Sequence, residues 1–415
     1  MARLIFHVDV NSAYLSWESA RRVRNGEPDL RLIPAVIGGD REKRTGVVLA
    51  KSIPAKKCGV ITGEPIAFAL RKCPDLVLAK PDFRLYEQNS RAFMAVCRQY
   101  APVAEQVSID ECFLDMSGTE RIYPDPLQVA AAIKNTVRDT LGFTVNVGIS
   151  TNKLLAKMAS DFEKPDRIHT LFPDEIAAKL WPLPVGELFT VGKATAAKLE
   201  AHGITTVGAL AKAELPLVQA IVGRKWGQQL HDYANGIDDS PVLAEGEDAK
   251  GYSNSTTLEK DVTTAEEGHR VLLALADSVS SRLRADGVKA RCVAVTIRSN
   301  DFKNHSHQKK LKEATDVTKE VFEVSKALFD ELWDHRTPLR LLGVALTDID
   351  RFGMSQMTFF PDAEKEKQRK IDRAADDIRS RFGTGAILRG GIYGTNVGKK
   401  HKAQFELASE KDKRK

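Results

Sequence analysis

A chain of 415 residues is too long for one hydrophobic core and points to about three or four domains. An apolar fraction of 42% with 28% charged residues excludes a disordered or fibrous chain. The net charge of +6 sits in the tail: residues 361–415 hold 15 Lys/Arg against 9 Asp/Glu, and the other 47 basic and 47 acidic residues balance, so the body is no DNA-coating surface, although local basic patches can still neutralise phosphates.

In chain order, residues 4–10 read as a buried strand, too short for a signal peptide or membrane span and carrying His7 and Asp9. Asn11 or Ser12 can cap a helix through Tyr14, Trp17 and Arg21. Strand-like 35–37 and 47–50 flank a polar turn and lead into a small mixed unit, so that 13–75 read as an insertion. Then come a helix at 87–100, two short strands within 103–116 meeting near Asp110, a helix at 126–141, a strand at 144–149 and a helix at 152–162. This interleaving predicts an α+β sheet domain. Residues 173–237 are helical in period and punctuated by Gly192, Gly203, Gly208, Gly223 and Gly227. Residues 241–251 are the best linker, and strands at 252–258, 292–298, 308–313 and 339–347 alternate with helices at 265–285 and 318–333 in a second α/β domain. Cys58, Cys73, Cys97, Cys112 and Cys292 form no CxxC pair and read as reduced thiols of a cytoplasmic protein.

Chemistry concentrates in the acidic residues. Asp110 and Glu111 are adjacent between apolar neighbours; in a strand they would face opposite ways, so sharing a site requires a turn or hairpin tip between them. With Asp9 at the end of the first strand they make an all-oxygen set suited to magnesium, and two such ions about 3.5 to 4 Å apart serve phosphoryl transfer. The bland alternative is a solvated Asp-Glu pair and an Asp9 that merely caps the following helix; apolar flanks on both strands weigh against it.

Three segments, His7 to Tyr14 (HVDVNSAY), Ser108 to Glu111 (SIDE) and Val147 to Lys157 (VGISTNKLLAK) with Lys164-Pro165, resemble the signature segments of Y-family, translesion DNA polymerases in content, order and separation. The resemblance covers essentially the whole chain. It implies a multi-domain right hand: palm at 1–12 and 76–172, fingers at 13–75, thumb with a helix-hairpin-helix at 173–240, linker at 241–252, little finger at 253–350, and a basic tail at 351–415. It also implies a low-fidelity, template-directed DNA polymerase that bypasses damaged bases, acting on primed template DNA and deoxynucleoside triphosphates with two Mg2+.

By the same resemblance Asp9 and Asp110 bridge both metals, Glu111 binds the catalytic one and the Val10 carbonyl completes the other. Tyr14 takes the steric-gate position against a ribose 2′-hydroxyl, its alternative being a plain core aromatic. Lys164 contacts the triphosphate, whereas Lys153 and Lys157 read equally as a solvated face. The fingers depart from the family: where many members carry Thr, Tyr and Arg, this chain has Ala50, Ile53 and Lys56, a point charge in place of a fork, with Lys51 and Lys57 as partial compensation. Gly192 and Lys193 resemble the phosphate-gripping turn of the hairpin motif, alternatively a helix C-cap. Lys309 and Lys310, among Lys303, His305, His307 and Lys312, are candidate DNA contacts; no familiar zinc spacing accompanies the histidines. Gln356, Met357, Phe359 and Phe360 resemble the peptide with which bacterial polymerases dock on the sliding clamp. The chain reads as monomeric, with no membrane partner. Rival readings are a palm-like nucleotidyl cyclase, which the hairpin and clamp-like peptide disfavour, and a weakly active or non-catalytic DNA-binding accessory protein of DNA repair.

Overall fold

The computed structural model describes residues 3–39, 46–244, 248–351 and 363–392, and the chain divides into two units that part at residues 247–248. In the first, β1 (Ile5–Val10), α1 (Ala13–Arg24), β2 (Ala35–Gly38), β3 (Val48–Lys51), α2 (Ile53–Lys57), α3 (Ile66–Lys72), β4 (Val77–Ala79), α4 (Phe83–Cys97), β5 (Val103–Gln106), β6 (Glu111–Asp115), α5 (Pro126–Thr136), β7 (Val145–Ser150), α6 (Lys153–Asp161) and β8 (Ile168–Thr170) precede four helices, α7 (Lys193–Glu200), α8 (Val207–Lys212), α9 (Leu215–Val222) and α10 (Arg224–Ala234).

The five-stranded sheet runs β5-β6-β1-β7-β8, and β1 is antiparallel to both neighbours. A central strand is covered on both faces, so alternation sorts its residues: Phe6, Val8 and Val10 enter the main core with Trp17, Phe93 and Ile133, and His7 and Asp9 take the other face. The α1 helix corrects the expected 13–75 insertion, because Leu15 and Trp17 are buried in the main core. Neither expected cap forms: Ser12 enters the helix left-handed at φ 48° with no side-chain cap bond, and the Asn11 amide is bonded to Asn146 and Thr144. The insertion with a core of its own is smaller, the sheet β3-β2-β4 closed by α2 and α3 around Val36, Val48, Ala55, Val60 and Ile66.

The helical segment from 173 does not close a core alone. Leu154, Leu155 and Met158 of α6 join Leu180, Leu199, Val207 and Leu230 in one cluster, so α6 serves the sheet and the helices together. The linker expected at 241–252 likewise begins inside this unit: Val242 is buried with Ile5, Phe113 and Ala156, and the Leu243 N–H donates to Glu105, which Lys153 holds at 2.8 Å through both oxygens.

The second unit contains β9 (Gly251–Val262), α11 (Ala265–Ala285), β10 (Lys289–Ser299), β11 (Asn304–Thr315), α12 (Thr318–Leu332), β12 (Leu339–Asp350) and α13 (Ala363–Phe382). Its antiparallel sheet runs β11-β10-β12-β9, with α11 and α12 packed against it through Leu272, Leu275, Val321 and Phe329. The α13 helix corrects the expected tail at 351–415. Asp372, 1% exposed, accepts from the Thr318 N–H at 2.8 Å and pairs with Arg284 and Arg389, while Asp376 pairs with Arg284 at 2.7 Å. Ion pairs, more than an apolar stripe, hold this helix, so its sequence reads as charged tail. Among the described residues no helix is long and apolar enough to cross a membrane.

Candidate active site

Asp9 on β1 lies directly opposite Glu111 on β6, and the two-residue period puts His7 on the same face. The hairpin turn required between Asp110 and Glu111 is present: β5 ends at Gln106, the Val107 N–H donates to the Glu111 carbonyl at 3.1 Å, and the Asp110 carbonyl accepts from the Val10 N–H at 2.9 Å. Asp110 thereby escapes the strand alternation that fixes Glu111.

Ligand atoms of His7, Asp9 and Glu111 lie within 4.8 Å of one another. Asp110 is not drawn into that group; its carboxylate accepts from Ser108 Oγ at 2.6 Å and faces the adjoining cleft. Burial pushes the Asp110 carboxyl up, the Ser108 bond opposes this, and the charges of Asp9 and Glu111 add to the rise. Glu111 moves the other way, to about 2, through its contact with His7 and, against burial, its bond to Lys157. His7 is fully buried and pushed down by that burial. Its Nδ1 lies 2.8 Å from Ser160 Oγ, while Nε2 faces Glu111 Oε2 at 3.3 Å without the alignment of a full hydrogen bond.

Two ammonium groups from the α6 region complete the cluster. Lys157 lies 2.9 Å from Glu111 and 3.5 Å from both Asp9 and Asp161; Lys164 bridges Asp9 and Asp161 at 2.8 Å each. Burial alone would lower both lysines, but the bond to Glu111 with the nearby carboxylates outweighs it at Lys157, and the Asp9 charge does so at Lys164, so both are raised. Two facing carboxylates with hard oxygens, beside a buried imidazole nitrogen lacking a full partner, fit a divalent cation.

Asp9 opens onto a cleft of 520 Å³ whose walls include Val10, Tyr14, Asp110 and Lys164, with Ala50, Ile53 and Lys56 from the small sheet and α2. Lys51 lines it as well, and Lys57 does not. Glu111 meets the site behind Asp9 and is not a wall of the cleft. Tyr14 is half-buried and backed by Tyr86, ring centroids 4.6 Å apart and planes 15° apart, so it is both a cleft wall and a packed aromatic.

Of the residues left open or unnamed by sequence, Lys157 belongs to the site and Lys153 does not, being committed to Glu105. His7 and Asp161 were missed. The signals were there: His7 is two positions before Asp9 on a strand, and Asp161 is four after Lys157 on a helix. Gly192 caps α7 with open space where a Cβ would stand, and Lys193 begins that helix at the surface. Lys309 and Lys310 are consecutive on β11 and so face opposite sides of the sheet; Lys310 is paired with Asp348 at 2.9 Å. Gln356, Met357, Phe359 and Phe360 lie outside the described residues.

Three family models match in chain order: the impB/mucB/samB family over residues 8–161, the DNA polymerase-iota thumb domain over 186–238 and the impB/mucB/samB family C-terminal domain over 249–359. A relative from Clostridium acetobutylicum, "DNA polymerase IV", is 43% identical over 390 residues, 94% of this chain and 98% of its own length. "DNA polymerase IV 1" of Bacillus subtilis is 36% identical over 392 residues, 94% of this chain and 93% of its own. A solved Y-family DNA polymerase chimera, Dbh-Dpo4(243-245)-Dbh, shares the fold with a TM-score of 0.72 at 23% identity, covering 83% of this chain and 99% of that one. Facing carboxylates beside a nucleotide-sized cleft, on a chain matched nearly end to end by these relatives, make it a member of the Y family of DNA polymerases, of the bacterial polymerase IV kind.

Proposed function

We propose that this chain extends a primer 3′ end by two-Mg2+ phosphoryl transfer at Asp9, Asp110 and Glu111, with Tyr14 as sugar gate and Lys164 and Lys56 on the triphosphate. As a Y-family member it is a DNA-directed DNA polymerase of translesion synthesis, with template DNA and deoxynucleoside triphosphates as substrates and a requirement for divalent metal. One observation supports the residue assignment: Asp9, which faces Glu111 across neighbouring strands, lines a cleft together with Asp110, Tyr14 and Lys164.

Mg2+ at these carboxylates would activate the primer hydroxyl and stabilise the departing pyrophosphate. To help hold the metal, Asp110 would have to turn its carboxylate from Ser108. The Val10 carbonyl, at the end of β1, supplies a neutral oxygen. Lys164 exchanges its bond to Asp9 for the incoming phosphates, a transfer that its Asp161 contact keeps local. The ring of Tyr14, braced by Tyr86, occupies the space a 2′-hydroxyl would need. Catalysis by metals and positioning asks for no protein nucleophile.

The five-stranded sheet reads as palm, the β3-β2-β4 unit as fingers, α7–α10 as thumb and the second unit as little finger. Gly192 and Lys193 would hold a backbone phosphate, with Lys309 and Lys310 as further contacts. Residues 356–360 would dock on a sliding clamp, which clamp-stimulated extension by the Phe359→Ala, Phe360→Ala double variant checks. A monomeric, cytoplasmic enzyme completes the reading, and sedimentation of the purified chain tests the first term.

The deciding experiment is primer extension by Asp110→Ala. The expected result is a loss of at least about a hundredfold in rate with duplex affinity retained. Undiminished synthesis would remove Asp110 from the chemistry.

A further inference from the structure

We propose that Asn11, a wall of the nucleotide cleft, and Asn146, behind it, form a paired-amide clamp that positions Lys164 over that cleft and so governs nucleotide binding. The inference deepens the reading above and rests on Lys164 meeting the triphosphate.

Asn11 follows β1 and Asn146 lies in β7, neighbouring strands of the five-stranded sheet, and both are buried. The Asn11 amide donates from Nδ2 to Asn146 Oδ1 at 3.0 Å. Asn146 Nδ2 in turn donates to the Glu163 carbonyl at 2.6 Å and the Ser160 carbonyl at 3.1 Å, and Asn146 Oδ1 also accepts from the Arg167 N–H at 3.2 Å. Asn11 Oδ1 accepts from the Asp166 N–H at 2.9 Å and Thr144 Oγ1 at 3.0 Å. Two carbonyls face one Nδ2 and two N–H groups face one Oδ1, so the donor and acceptor ends of Asn146 are fixed by its partners.

These bonds pin the chain on both sides of Lys164-Pro165: the Glu163 carbonyl before it, the Asp166 and Arg167 N–H groups after it. Asp166 adopts φ 61°, a turn conformation that its hydrogen bond to Asn11 holds in place. Between the pins the Lys164 side chain reaches Asp9 and Asp161 at 2.8 Å. A buried amide pair could instead serve stability alone. What sets this pair apart is where its bonds end: three of them fall on the backbone within three residues of the lysine.

The test is a double-mutant cycle on the full-length enzyme with primed template, measuring KM for nucleotide, kcat and the thermal midpoint for wild type, Asn146→Ala, Lys164→Ala and the double variant. Asn146→Ala is expected to raise KM about tenfold with kcat within about twofold, since the loss falls on ground-state positioning. In the Lys164→Ala background it should add less than about twofold, because the group it positions is gone. Equal effects in both backgrounds, or a lowered thermal midpoint with unchanged KM, overturn the clamp while leaving Lys164 in its role. An unchanged KM for Lys164→Ala itself overturns both readings. Should Asn146→Ala not fold, Asn11→Ser carries the same cycle, since it removes the Asp166 bond and leaves the Asn146 bonds to Glu163 and Arg167.

Discussion

Gly148→Ala tests whether α6 must lie hard against the sheet for the site to exist. Gly148 is directly opposite His7 on β7, on the face that α6 covers. A Cβ there would stand 2.0 Å from the Ala156 carbonyl oxygen and 2.4 Å from the Ser160 nitrogen, both backbone atoms that no rotamer change can move. Relief requires α6 to retreat by about 1 Å, at a cost near the upper end of overpacking, about 3 kcal/mol. For a unit of this size the thermal midpoint then falls by roughly 6–12 °C. The same shift carries away Lys157 and the Ser160 partner of His7, and a 1 Å misplacement costs about a hundredfold in rate. Differential scanning calorimetry and single-nucleotide primer extension measure the two effects, with Gly385→Ala as control, since its added Cβ meets nothing within 4 Å. A Gly148→Ala protein that melts and extends primers like wild type would refute the packing argument.

Tyr14→Ala should raise ribonucleotide over deoxyribonucleotide incorporation by at least about tenfold, read from single-nucleotide insertion; unchanged sugar selectivity removes Tyr14 from the gate. Asp372→Ala should cost the second unit about 1.5–3 kcal/mol by removing the carboxylate that the Thr318 N–H, Arg284 and Arg389 share, although Arg284 keeps Asp376 and Arg389 keeps Asp277, and hydrogen exchange should show α13 opening first. In chelator, Glu111 contributes stability that is complete above its ordinary value of 4.5 and is lost as pH falls towards about 2, because its folded carboxyl is held low by His7 and then Lys157. Glu111→Gln should flatten the urea midpoint across that window, and an unchanged acid decline would contradict the assignment.

Much of this was legible because one-dimensional pattern and three-dimensional position coincide in β1 and the hairpin. A short apolar strand ending in Asp9, and two acids between apolar flanks, could share a site only across a turn, and the chain turns there. The α11 helix was equally plain, its 265–285 span closed by a Thr264 cap and acidic first turn. Where apolar residues point to a partner distant in sequence, local reading failed. Trp17 sits in the helix between β1 of the main sheet and β2 of the small one, within the stretch that reads as insertion, yet it is buried in the main core; Val242 looks like linker but is buried beside Phe113.

The amino-acid order by itself determined the family-bearing segments, the alternation of strands and helices, and the three carboxylates, since each depends on spacing along a few neighbouring residues. Only the tertiary structure decided that His7, Lys157 and Asp161 surround those acids while Asp110 turns to Ser108, that α13 is strapped down by buried charge, and that two asparagines hold the Lys164 turn. The physical reason is that hydrogen bonds and ion pairs join side chains whose sequence separation carries no period, so their partners exist only once the sheet has brought them within about 3 Å.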